Sequence, residues 1–279
     1  MPGSPAPLHR RRFFSLLAVG LAATVAGCRD GPASAPPPDG MPPTGALTPP
    51  SGPPGWDESP PPAPPAPPRG PNRVLSKGPA GANRIALTVD DGYSNEVVAG
   101  YVDFAARTGI HLTFSPNGIY AHSWAPHAET LKPLVERGQV QIINHTFSHP
   151  DLRRMNDAQI RAELERNEEW VNRTFGTSTK PYYRPPFGFH NEHVDGLAGD
   201  LGYRNTVMWS GSYGDSRLVT PQFLMNQANR YLQPGVIMLG HANHPTVLGL
   251  FNQLTDLIRQ RNLDPVTLNE MFGYPAASP

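Results

Sequence analysis

Cysteine is almost absent: Cys28 is the only one among 279 residues. A single thiol closes no internal disulfide, so whatever domain this chain forms folds without that staple. Net charge is absent too, with 23 basic residues against 23 acidic ones. Lacking a basic excess, the chain has no electrostatic footprint for a phosphate backbone, which argues against nucleic acid. A neutral, extended polymer is compatible with that balance. The N-terminal apolar run, Phe13 to Ala26, falls short of the roughly 20 residues that a permanent membrane helix needs.

Proline is abundant but uneven, and 18 of the 35 prolines fall between Gly31 and Asn72. Many residues without an N–H and few large apolar side chains leave that stretch unable to pack a core. Residues 29–72 therefore read as a disordered tether, which at about 3.1 Å per residue reaches on the order of 100 Å. Residues 73–279 are enough for one domain with a large core.

Residues 1–28 have the layout of an export signal: Arg10-Arg11-Arg12, the apolar run, then Gly27-Cys28. Val25-Ala26-Gly27-Cys28 resembles a bacterial lipoprotein box, which makes Cys28 the expected lipidation site and the membrane an expected partner. His9 to Phe14 also resembles a twin-arginine signal, so that route or the general secretory one is expected. The working domain would then face the cell wall from the end of its tether.

From Arg84 onward, short β-like runs alternate with helical patterns. Strands are predicted at Ile85–Val89, His111–Ser115, Val140–Ile143, Pro181–Arg184, Tyr203–Trp209 and Gly235–Leu239, with a seventh over Asn262–Leu268. The clearest helix begins at Asn156 as N-cap, buries Ile160, Leu164 and Val171, and stops at Gly176. Strands joined by helices make a parallel sheet, and the fold class is α/β: an irregular (β/α)7-type barrel in a single domain. An open doubly wound sheet is the alternative, but no Gly-rich phosphate loop follows the first strand.

The polar residues fall on one edge of that barrel. Asp90 and Asp91 end the first strand, and His145 and His149 follow the third. Arg184 ends the fourth, Asp215 lies after the fifth, and His241 follows the sixth. Taken singly, each has an ordinary reading: Asp-Asp-Gly suits a tight turn, His-x-x-x-His is two solvated imidazoles, and Arg-Pro-Pro is a rigid loop. All of them at the C-terminal ends of strands, where β/α barrels build active sites, point to function. Two histidines and a carboxylate pair supply ligands for one divalent metal and leave a carboxylate to act as a base.

Thr88-Val89-Asp90-Asp91-Gly92, Asn144-His145-Thr146-Phe147-Ser148-His149-Pro150, Tyr183-Arg184-Pro185-Pro186-Phe187-Gly188 and Leu239-Gly240-His241 follow one another in this order. Together they resemble the polysaccharide deacetylase (NodB-homology) family, carbohydrate esterase family four, from about Arg84 to Met271. The resemblance implies that Asp91, His145 and His149 hold a metal, typically zinc, although such ligands also accept cobalt, manganese or iron. It makes Asp90 the general base, His241 the acid for the leaving amine and Arg184 the partner that orients Asp90. It further implies the backbone N–H of Phe187 as oxyanion donor and Leu239 as lining for the acetyl methyl.

Two segments depart from the family pattern. An Asp-Trp pair usually braces the arginine and walls the acetyl pocket, but here Asp215 is followed by Ser216. Asp215 alone carries over, and Trp209 or Tyr213 is left to supply the wall, each equally readable as a core or loop aromatic. Phe114-Ser115-Pro116-Asn117-Gly118 is more polar than the usual strand end, and residues 117–127 are expected to form a substrate-side loop. Trp124 within it suits sugar stacking and plain packing equally. The expected activity is removal of N-acetyl groups from peptidoglycan or chitin-like N-acetylglucosamine. The alternatives are an O-acetyl esterase on xylan-like glycans and a silent glycan-binding lipoprotein.

Overall fold

The structure, a computed structural model, describes residues 72–275. The export signal, Cys28 and the tether up to residue 71 lie outside the described residues. No helix among the described residues is long and apolar enough to cross a membrane.

The chain enters through β1 (Arg73–Leu75) and β2 (Arg84–Asp91), then α1 (Asn95–Thr108), whose N-terminus is capped by Ser94 and whose end is turned by Gly109 at φ 70°. β3 (Leu112–Pro116), the short helix α2 (Ala121–Trp124), α3 (Ala128–Glu136) and β4 (Val140–Ile142) follow. α4 (Asp157–Phe175) carries the predicted signals in full. Asn156 and Gln159 form a reciprocal capping box, Gly176 closes the helix at φ 69°, and Ile160, Leu164 and Val171 are buried. Next come β5 (Tyr182–Tyr183), α5 (Glu192–Asp200), β6 (Asn205–Val207), β7 (Gly211–Ser212) and α6 (Pro221–Tyr231). β8 (Ile237–His241), α7 (Phe251–Gln260), β9 (Asp264–Val266) and α8 (Leu268–Phe272) complete it.

All strand pairs are parallel, in the ladders β4-β3-β2-β8-β7 and β1-β6-β5. A single bridge, Asn144 to Tyr183, joins β4 to β5, and the continuous run from β6 into β7 joins the other side. This is the irregular (β/α)7-like barrel expected. Two details differ from the sequence reading. The predicted strand Tyr203–Trp209 ends as β6 at Val207, because its far edge there is taken by β1; the chain pairs with β8 only from Gly211. The predicted seventh strand shortens to β9, which pairs with the foot of β2, because Thr267 begins a capping box with Glu270 and turns the chain into α8.

Alternation along the strands divides the core. On β2, Ile85, Leu87 and Val89 face outward into the cluster formed with α1, α3 and α7. Ala86 faces the barrel interior with Ile237, Val207, Tyr182 and Val266, and Leu268 and Met271 of α8 close its lower end. Thr88 and Asp90 share the parity of Ala86. The strand that packs the core thus sends a carboxylate inward at its upper end.

Candidate active site

Asp90 and Asp91 are adjacent but are presented differently. Asp90 keeps the inward parity of β2 and is buried. Asp91 adopts φ 71°, which turns the chain out of the strand, and Gly92 follows at φ 118°. A Cβ on Gly92 would overlap the Trp124 indole, whose Nε1–H donates to the Asp91 carbonyl at 2.8 Å. Glycine is needed there for both angle and space. Beyond β4 the loop carries two more left-handed residues, Thr146 at φ 67° and His149 at φ 60°. With Phe187 at φ 60°, four of the five such non-glycine residues among those described lie at this site. Each costs on the order of 1–3 kcal/mol and persists only where neighbours over-determine it.

Asp91 Oδ1 lies 3.4 Å from His145 Nε2 and 3.5 Å from His149 Nε2. The ligand atoms of the three residues lie within 4.8 Å of one another. Asp91 Oδ1 is buried without a hydrogen-bond partner, whereas Oδ2 accepts from Asn243 Nδ2 at 2.7 Å. One orphaned carboxylate oxygen between two imidazole nitrogens is the donor set of a divalent transition metal. His145 Nδ1 sits 2.8 Å from the Arg184 carbonyl, which accepts its proton and turns Nε2 toward Asp91. Burial and then the charge of His145 push His149 down to about 4, so its ring is neutral at neutral pH.

Asp90 belongs to a second network. Arg184 is fully buried, and its Nη1 donates to Asp90 Oδ1 at 2.6 Å and to Thr88 Oγ1 at 2.9 Å, while Nε donates to the Val207 carbonyl at 3.2 Å. The Ser115 hydroxyl also donates to Asp90 Oδ1. Burial alone would raise the Asp90 pKa, but Arg184, His145 and His241 outweigh it and hold the carboxyl below its ordinary value. Asp90 Oδ2 faces His145 Nε2 at 3.6 Å. A third network holds His241: its Nδ1 lies 2.9 Å from Asp215 Oδ1, and its backbone N–H donates to Asp215 Oδ2 at 3.1 Å. Burial lowers the His241 pKa, yet the Asp215 carboxylate reverses this and raises it above the usual histidine value.

These networks face a cavity of about 400 Å³ lined by Asp90, Asp91, His145, His149 and His241, with Phe187, Trp209 and Leu239 among its walls. Among the described residues seven large apolar side chains are exposed. Six of them, Tyr93, Ile119, Phe187, Phe189, Leu218 and Phe223, stand on segments that follow the C-terminal ends of strands, and Phe187 lines this cavity.

A family model described as polysaccharide deacetylase matches residues 77–206. The peptidoglycan-N-acetylglucosamine deacetylase of Bacillus cereus is 30% identical over 192 residues, covering 67% of this chain and 68% of the relative. The chain belongs to the polysaccharide deacetylase family. The peptidoglycan-N-acetylmuramic acid deacetylase PdaA of Bacillus subtilis is 28% identical over 200 residues, covering 69% of this chain and 74% of PdaA. The solved Bc1960 peptidoglycan N-acetylglucosamine deacetylase superposes with a TM-score of 0.65 at 26% identity, covering 73% of this chain and 94% of that one.

Against that family frame, one sequence expectation changes and two open readings close. Asp215 braces His241 and not the arginine, because both its oxygens are engaged by the histidine. Tyr213 is no wall of the pocket: it is buried in the outer core with Tyr101 and Leu87, so of the two aromatics Trp209 alone lines the cavity. Trp124 is buried against Phe114 and spends its N–H on Asp91, which leaves no face for a sugar. Four contributors escaped the sequence reading. Ser115 and Thr88 contact the Asp90–Arg184 pair, Asn243 holds Asp91, and Asn117 donates to the carbonyls of His145 and Thr146 at 2.5 and 3.0 Å. The unusually polar strand end at Ser115 and Asn117 was the available signal.

Proposed function

We propose that this polysaccharide deacetylase is a metal-dependent hydrolase that removes N-acetyl groups from an amino-sugar polymer, peptidoglycan or chitin-like N-acetylglucosamine, and releases acetate. The observation that carries the reading is the Asp91–His145–His149 donor set opening on the same cavity as Asp90 and His241. In this proposal those three residues hold one divalent ion, zinc in the first instance. When bound, the ion supplies Lewis acidity for an amide carbonyl and for the attacking water. Asp90, ionised because Arg184 stands against it, takes the proton of that water. His241, whose hold on a proton Asp215 strengthens, delivers a proton to the leaving nitrogen. The Phe187 N–H is proposed as donor to the developing oxyanion, and Leu239 and Trp209 as walls for the acetyl methyl.

Phe187 and Trp209 on the cavity wall support a sugar substrate, since pyranose rings present apolar C–H faces and no charge. The remaining part of the proposal is location. Residues 1–28 direct export, lipid on Cys28 anchors the chain, and residues 29–72 tether the domain of residues 73–279 within reach of the wall. The test is acetate release by the purified, zinc-replete protein from N-acetylglucosamine oligomers and from peptidoglycan, with O-acetylated xylan as the ester control. No acetate from either amide substrate refutes the proposal.

A further inference from the structure

The two histidines of the metal site are held in different ways. His145 is fixed through its own ring by the Arg184 carbonyl, and its backbone carbonyl accepts from Asn117. The His149 ring makes no hydrogen bond among the described residues; it meets the Phe187 ring edge-on at 4.5 Å between centroids. Its backbone N–H donates to Thr146 Oγ1 at 3.2 Å. What fixes this ligand is therefore the peptide ahead of it, and that peptide is gripped from α4.

Glu163 does most of the gripping. Its Oε2 accepts the Ser148 N–H at 2.7 Å, its Oε1 accepts the Ser148 hydroxyl at 2.7 Å, and its backbone carbonyl accepts the Phe147 N–H at 3.1 Å. Glu163 is only 6% exposed, and its carboxylate makes no ion pair among the described residues. Burying an unpaired charge is costly, and both oxygens are committed to one residue, the immediate neighbour of His149. The same helix face adds Arg166, stacked 4.1 Å over the Phe147 ring. One turn on, Asn167 donates to the Pro116 carbonyl and Asn144 Oδ1 and accepts the Gly118 N–H at 2.8 Å. These contacts hold the segment in which Thr146 and His149 adopt left-handed angles.

We propose that Glu163 is the positioning residue for His149: by clamping Ser148 it holds the one imidazole of the donor set that lacks a ring partner of its own. The inference rests on the metal-site reading above. It implies a division of labour in which the core of the barrel orders Asp91 and His145, and helix α4 orders His149.

The test is zinc affinity of the full chain, measured by chelator competition, in single and double variants. Glu163→Ala is expected to weaken zinc binding about 10- to 100-fold, the usual effect of losing an outer-shell partner. Glu163→Gln is expected to stay within about threefold of wild type, because its amide oxygen can accept the Ser148 N–H while its NH₂ donates to the hydroxyl. In a His149→Ala background Glu163→Ala should cost nothing further. Should Glu163→Ala not fold, Ser148→Ala removes one of the two clamp bonds and is expected to give a smaller loss, again absent without His149. An undiminished loss in the His149→Ala background, the mark of general loosening, overturns the proposal. So does unchanged affinity in both Glu163→Ala and Ser148→Ala. Zinc affinity that survives His149→Ala at the wild-type level overturns the metal site itself, which separates that failure from failure of the clamp.

Discussion

Replacing Arg184 by methionine removes the guanidinium and keeps much of the volume, so it isolates the charge at the heart of the barrel. Arg184 and Asp90 form an ion pair of 2.6 Å with side chains 0% and 4% exposed. Removing one partner of such a buried pair leaves the other uncompensated and costs about 3–5 kcal/mol. Ser115 still donates to Asp90, which favours the lower part of that range, whereas Thr88 and Val207 also lose the donor they faced, which favours the upper. For a domain of this size about 2–4 °C of melting temperature accompanies each kcal/mol, so the melting point should drop by roughly 6–20 °C. The sign with pH is fixed by Asp90, whose folded pKa is lowered from 3.8. Its contribution is present above the ordinary carboxylate pKa and is lost as pH falls through the folded value. The gap between wild type and Arg184→Met should accordingly be widest near neutrality and shrink in acid. Urea titrations of metal-free protein at several pH values measure this. A cost under about 1 kcal/mol, the size of an exposed pair, or a gap that does not narrow in acid refutes the reasoning.

Asp215→Asn removes the charge that raises the His241 pKa; the alkaline limb of the kcat profile is expected to move to lower pH, because the acid form is lost sooner. Asp90→Asn and His241→Ala should each lower kcat by about 10²–10⁴-fold in acetate-release assays, with zinc binding retained. A strong chelator should abolish activity, and added zinc should restore it in wild type but only at much higher concentrations in His149→Ala. Trp124→Ala should destabilise the fold by about 3–5 kcal/mol in denaturant titrations and lower kcat through the loosened Asp91 turn.

The parts legible in the sequence were those encoded locally. The α4 helix was readable because its cap, its apolar spacing and its terminal glycine lie within one segment. The site was readable because its residues end strands, and strand ends converge whatever the details of pairing. Pairing itself depends on partners far along the chain. Three-residue β1 has no period to detect, and only its place beside β6 shows that the predicted strand Tyr203–Trp209 must end early. Aromatic roles were ambiguous for the same reason. Trp124, Trp209 and Tyr213 are alike in sequence, and only their tertiary partners separate the brace of Asp91, the pocket wall and the core residue. The target of Asp215 was equally hidden, since nothing in its neighbours Gly214 and Ser216 distinguishes a histidine partner from an arginine.

The position of β2 bears on how the domain assembles. β2 is the second strand in the chain and carries both aspartates, yet its foot is paired by β9: Arg84 stands opposite Asp264. One edge of the strand is covered by β8 and the other by β3 above and β9 below. A growing chain therefore exposes an apolar strand with open edges until nearly all of the described domain has been made. Contacts so distant in sequence slow folding. They also deny the N-terminal half an independent existence, so fragments ending before β8 should remain unfolded, and the Asp91–His145–His149 cluster and the networks of Asp90 and His241 come into being in one cooperative event.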